Sequence, residues 1–141
     1  MIISEKIPSR LEVIPGLLSA LMERIKHLLT EEDAFHVRLS LEEALVNAIR
    51  HGNKLNPDLS VELTIETKDN YLTIKVKDQG EGFDFSKIPD PTKSNNLHKP
   101  SGRGIFLIKN LMDDVDIFDS GRGIKMTKFL KKGLEREEKG G

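Results

Sequence analysis

Two short segments alternate strictly in polarity. Val61, Leu63 and Ile65 alternate with Glu62, Thr64 and Glu66, and Leu72, Ile74 and Val76 alternate with Thr73, Lys75 and Lys77. A period of two places one set of side chains on each side of a strand, so both segments predict half-buried strands. Lys68, Asp69 and Asn70 between them are short and turn-prone, which predicts an antiparallel hairpin with one face on the core and the other solvated.

What surrounds the hairpin is helical in period or marked by turn formers. Ile2, Ile3 and Ile7 predict an edge strand ended by Pro8, and a helix is expected over 11–29 despite Pro15 inside it. Thr30 is an N-cap followed by three acidic residues, opening a second helix to about His51 that Gly52 and Asn53 stop. Over 83–100 the periodicity fails and three prolines and two adjacent asparagines predict a long loop. Ile105, Leu107, Ile108, Leu111 and Met112 restore helical spacing. Val115 and Ile117 then predict a strand, Ser120 to Gly123 a turn, and 124–130 a last strand. Segregated helices and turn-linked strands predict an α+β fold, a two-layer sandwich with helices on one face of a mainly antiparallel sheet.

With 141 residues the chain suits a single domain, expected over 1–131, followed by a charged, glycine-ended flexible tail over 132–141. Its 22 basic and 23 acidic residues nearly cancel, which argues against steering toward nucleic acid or anionic membrane. No cysteine, leader or bilayer-length apolar run is present, so a cytoplasmic protein is expected.

On the second helix, at about 100° per residue, Val37, Leu41, Ala44 and Ala48 form an apolar stripe. Ser40, Asn47 and His51 border it, with Glu43 one turn from Asn47. Asp78 ends the second hairpin strand and leads into Gln79-Gly80-Glu81-Gly82, whose glycines tolerate positive φ and let a ligand approach the backbone. Ser101-Gly102-Arg103-Gly104 opens the later helix, where free N–H groups and the helix dipole suit phosphate. Each feature alone also reads as a solvated helix edge or an ordinary turn. Neither GxxxxGK[ST] nor GxGxxG is completed, so the two commonest phosphate loops are excluded.

In that order, Glu43 to Gly52, Asp78 to Phe83 and Gly102 to Asp113 resemble the three ATP motifs of the GHKL ATPase/kinase superfamily with its Bergerat ATP-binding fold. The likeness is to the anti-sigma factor serine/threonine kinases of bacterial partner switching. The resemblance implies Mg-ATP as cofactor, with Asn47 as metal ligand and Asp78 accepting from the adenine amino group. It further implies that Gly80 and Gly82 admit the adenosine, that Gly102, Arg103 and Gly104 hold phosphates, that 83–100 closes as a lid, and that Glu43 is the general base. His51 matches a family histidine, read as a packing or phosphate-edge contact. The implied partners are an anti-anti-sigma factor of the STAS type and a sigma factor, with a homodimer as a further family expectation and no direct nucleic-acid or membrane partner. Ile124 stands where many relatives carry threonine, and Thr127, three residues on, is the nearest hydroxyl in the strand. An ATP-responsive binding module without phosphotransfer, a histidine-kinase catalytic fragment and a purely structural α+β domain remain as alternatives.

Overall fold

The structure, a computed structural model, describes residues 1–82 and 100–131, without the side chains of 100–103. The expected loop over 83–99 and tail over 132–141 lie outside the described residues. Five strands form one sheet in the order β1-β2-β3-β5-β4: β1 (Ile2–Pro8), β2 (Ser60–Lys68), β3 (Tyr71–Lys77), β4 (Asp114–Phe118) and β5 (Gly123–Phe129). Every pairing is antiparallel. The hairpin turns at Asp69 and Asn70, with Asp69 in the left-handed region at φ 54°. β1 is an edge strand, as its terminal proline requires.

The register explains the core. Ile3, Ile65, Ile74, Met126 and Val115 stand abreast across all five strands, and Leu63, Val76, Ile124 and Ile117 form the neighbouring row. These side chains face a helix layer of α1 (Ile14–Ile25), α2 (Glu31–Val46) and α3 (Pro100–Leu111). α1 contributes Ile14, Leu18, Leu21, Met22 and Ile25, spaced three and four apart, α2 contributes Val37, Leu41, Ala44 and Leu45, and the turn that continues it contributes Ala48 and Ile49. Pro15 occupies the first turn of α1, where its missing N–H costs nothing, and 3-10 turns flank the helix on both sides. Thr30 caps α2 as expected, its hydroxyl accepting from the Asp33 N–H at 3.1 Å.

One expectation is corrected. α3 starts at Pro100, so that residue belongs to the helix rather than the preceding loop. The second helix stops at Gly52 and Asn53 as expected. It widens into a π-helical turn over Asn47–Gly52, with the Asn53 N–H reaching back five residues to the Ala48 carbonyl at 2.8 Å, and the left-handed residues are Lys54 and Leu55. α2 lies over β3 and β5 beside α3, which packs against the edge strand β4.

Candidate functional site

Glu43 and Asn47 sit one turn apart on the side of α2 that meets α3. A Cβ placed on Gly104 would come within 2.7 Å of Asn47 Nδ2 and 3.1 Å of Glu43 Oε2. The bare backbone at 104 therefore lets the opening turns of α3 close onto these two polar side chains. Gly102 and Arg103 belong to the same helix start, where the first N–H groups have no intrahelical acceptor. The Arg103 side chain lies outside the described part. Ser40 on the same row is fully buried rather than at a wet edge. Among the described residues its Oγ and the Nδ2 of Asn47 are the buried side-chain atoms without a hydrogen-bond partner. An orphaned amide there is a group built for a ligand oxygen or for water.

Beside this polar end lies a cavity of about 260 Å³. Ala48, Val76, Ile105 and Ile124 give it apolar walls, and Asn47, His51 and Asp78 are polar groups on its boundary. Asp78 is only 7% exposed. Its Oδ1 accepts from the Gly80 N–H at 2.8 Å, and its own N–H donates to the Arg122 carbonyl at 2.9 Å. Burial pushes the Asp78 carboxyl above its ordinary range, with the Gly80 N–H and the Arg122 guanidinium pulling it back and Asp119 adding to the rise. A carboxylate at the rim of an apolar slot can fix the orientation of a flat, amino-bearing ring. Burial, followed by the neighbouring Arg50 charge, pushes His51 below the usual imidazole value and favours a neutral ring.

Gly52 and Gly80 make this floor possible. A Cβ on Gly52 would run into the Asp78 carboxylate, and one on Gly80 would run into the Gly52 carbonyl. Gly82 has the positive φ expected of the loop, at 91°, whereas Gly80 is required for close packing. Ile124 lines the cavity, but Thr127 cannot supply a hydroxyl there. An odd separation along β5 puts Thr127 on the opposite face, paired with Thr73.

Sequence reasoning passed over two residues. Asn53, read as part of a helix stop, is 1% exposed. Its Nδ2 donates to Ser9 Oγ and to the Ser60 carbonyl at 3.0 Å each, and its Oδ1 accepts from the Gln79 N–H at 2.8 Å. It thereby ties the end of α2 to the start of β2 and to the loop beyond Asp78. Arg122, read as a turn residue, reaches the same loop from the other side. No local pattern marks either residue, because both act through contacts remote in sequence.

The histidine kinase-like ATPase domain family matches residues 7–128. The chain is also similar to the proteins named serine-protein kinase RsbW of Staphylococcus aureus strains MSSA476, MW2 and JH9. Each is 33% identical over 111 residues, covering 73% of this chain and 70% of the relative. The matched span runs from the end of β1 into β5 and contains α2, the Asp78 loop and α3, so the cavity and its polar end lie inside the shared domain. By its sequence and by the five-stranded antiparallel sheet under three helices, the chain belongs to the histidine kinase-like ATPase domain family.

Proposed function

We propose that this protein is a Mg-ATP-dependent serine/threonine protein kinase that phosphorylates a small antagonist of the anti-anti-sigma (STAS) type and alternately captures a sigma factor. The observation that carries the reading is the convergence of Glu43, Asn47 and Gly104 beside a cavity floored by Asp78. The name of its relatives, serine-protein kinase, points to the same chemistry. In this reading Asp78 accepts from the adenine amino group, with the ring between Ala48, Val76, Ile105 and Ile124. Gly80 and Gly82 admit the adenosine, and the opening N–H groups of α3 at Gly102, Arg103 and Gly104 take the phosphates. His51 stays neutral and packs at the phosphate edge.

The residues present fit a magnesium ion only in company with a nucleotide. Among the described residues no group of three or more His, Cys, Asp or Glu side chains could hold a metal, whereas Asn47 offers a neutral amide oxygen beside the phosphate end. When bound, the ion would neutralise charge developing on the phosphate oxygens. Glu43 accepts the proton of the attacking serine or threonine hydroxyl as its oxygen bonds to the γ-phosphorus and the β–γ bridge breaks, releasing ADP. No helix among the described residues is long and apolar enough to cross a membrane, and a cytoplasmic, homodimeric protein accords with this role. The domain is read as 1–131; the lid expected over 83–100 and the tail over 132–141 fall on residues outside the described ones, apart from Pro100.

The test is transfer of labelled γ-phosphate from ATP to a purified STAS-domain protein from the same organism, comparing wild type with Glu43→Gln. Wild type should form phosphoserine or phosphothreonine, and Glu43→Gln should lose at least about a hundredfold in rate, the scale of general-base catalysis, while calorimetric ATP affinity is retained. Equal transfer by both proteins would remove Glu43 from the chemistry. Nucleotide binding without any transfer would leave a regulatory module in place of a kinase.

A further inference from the structure

The loop 78–82 carries Asp78, yet it belongs to no helix or strand and must be held by contacts from outside. On one side Asn53 holds Gln79. On the other stands the turn between β4 and β5, which is unusual in its backbone. Asp119, Ser120 and Gly121 all have positive φ, at 52°, 55° and 86°. Asp119 and Ser120, the two that are not glycine, cost conformational energy there that surrounding contacts must offset. The result is that Arg122 projects across the gap. Its Nε donates to the Gly80 carbonyl at 2.8 Å and its Nη2 to the Glu81 carbonyl at 3.3 Å, while Nη1 reaches the Asp119 carbonyl of its own turn at 3.3 Å. The Asp119 carboxylate lies 3.8 Å from Nη1 and 3.0 Å from Lys77 Nζ, anchoring the turn to the last residue of β3. Gly82 packs so closely on the Ser120 carbonyl that a Cβ there would collide with it.

We infer that Arg122 is a positioning residue for nucleotide recognition, its guanidinium clamping the Gly80–Glu81 backbone so that Asp78 is presented to the base in a fixed orientation. The inference rests on the nucleotide reading proposed above. A guanidinium spreads its donors in a rigid planar fork that holds two successive carbonyls and its own turn from one orientation. A lysine ammonium is a point donor on a flexible stem and lacks that fixed spread. The backbone of Arg122 serves the same end, since its carbonyl accepts from the Asp78 N–H. The clamp acts on the nucleoside end of the site, away from Glu43, so its loss should weaken binding without slowing transfer from bound ATP.

Wild type, Arg122→Ala and Arg122→Lys should be compared for calorimetric affinity toward Mg-ATP and toward adenosine, for phosphotransfer, and for amide exchange without nucleotide. Arg38, an exposed residue of α2, provides the control Arg38→Ala. The expected result for Arg122→Ala is roughly tenfold or greater loss of affinity for ATP and adenosine alike, the scale of charge-assisted hydrogen bonds. KM for ATP should rise with kcat unchanged, and exchange at Gly80 to Gly82 should quicken while the core strands stay protected. Arg122→Lys should fall between, and Arg38→Ala should match wild type. Undiminished affinity with unchanged exchange would overturn the inference, as would a loss confined to ATP, which would make Arg122 a phosphate contact. If Arg122→Ala does not fold, the same readouts on Arg122→Lys decide. Failure of wild type to bind ATP would refute the nucleotide reading and this inference with it, whereas binding by wild type with an indifferent Arg122→Ala refutes this inference alone.

Discussion

Asp78→Asn should separate what the carboxylate does for the ligand from what it does for the fold. Oδ1 accepts from the Gly80 N–H at 2.8 Å, and an asparagine must keep its oxygen there to satisfy that donor. Its Nδ2 then takes the place of Oδ2, and a donor faces the cavity where an acceptor stood. Against an adenine amino group the change removes a hydrogen bond to a charged acceptor, about 2–3 kcal/mol, and opposes two donors, so ATP affinity should fall by roughly thirtyfold to over a hundredfold. A 6-oxo base reverses the logic, and inosine triphosphate should lose much less or gain. Stability should move the other way. Because burial raises the Asp78 carboxyl above its ordinary 3.8, the fold favours its neutral form. The stability this contributes is fully present below about pH 3.8 and is lost as pH rises through the folded value, so wild type should lose ground to Asp78→Asn between pH 4 and neutrality. Denaturant melts at several pH values and calorimetry with both nucleotides test this. Equal changes in affinity for ATP and inosine triphosphate, or a variant less stable than wild type at pH 7, would refute the reasoning.

Gly104→Ala should leave the melting temperature unchanged or higher, since alanine favours a helix interior by about 1 kcal/mol over glycine. Its Cβ would nonetheless press on Asn47 and Glu43, so Mg-ATP affinity should fall at least about tenfold by calorimetry. Lys128→Met tests the other end of α3. The buried Lys128 ammonium donates to the Leu111 carbonyl at 2.6 Å and lies 3.6 Å from the buried Asp33 carboxylate. Removing it leaves a lone charge and an uncapped carbonyl, and urea melts should show a loss of about 3 kcal/mol that adding Asp33→Asn partly restores.

The sheet was legible because its signal is local and periodic. The hairpin at Asp69 and Asn70 and the Thr30 cap both follow from neighbouring residues. The order of β4 and β5 is not of this kind. Alternation says which face Ile124 and Met126 take, but not that β5 inserts between β3 and β4. The polar row of α2 was readable as a row, since Glu43 and Asn47 follow from helical spacing. Ser40, fully buried, shows where that reading stopped: spacing places a residue at the border of a stripe without saying whether α3 covers the border. Gly52 was read only in part, for a related reason. Next to asparagine after a long helix it has the composition of a C-cap, yet the need for glycine comes from the Asp78 carboxylate, 26 positions on in the chain.

Gly52 and the residues it meets share one small volume. Gly52 gives room to Asp78, Gly80 gives room to Gly52, Asn53 fixes Gln79, and Arg122 fixes Gly80 and Glu81. Three segments distant in sequence meet there, so little can relax if one of them is enlarged. Such packing costs stability that a structural domain would have no reason to bear, including a buried carboxylate whose charge the fold opposes. The arrangement is intelligible if the carboxylate is held ready for a ligand donor that satisfies it, the cost being offset when that ligand binds. Wild-type stability should therefore rise with ATP concentration as mass action requires, and Asp78→Asn, the more stable protein without nucleotide, should become the less stable one at saturating ATP. A variant that keeps its advantage at every ATP concentration would show that Asp78 is not poised for a nucleobase.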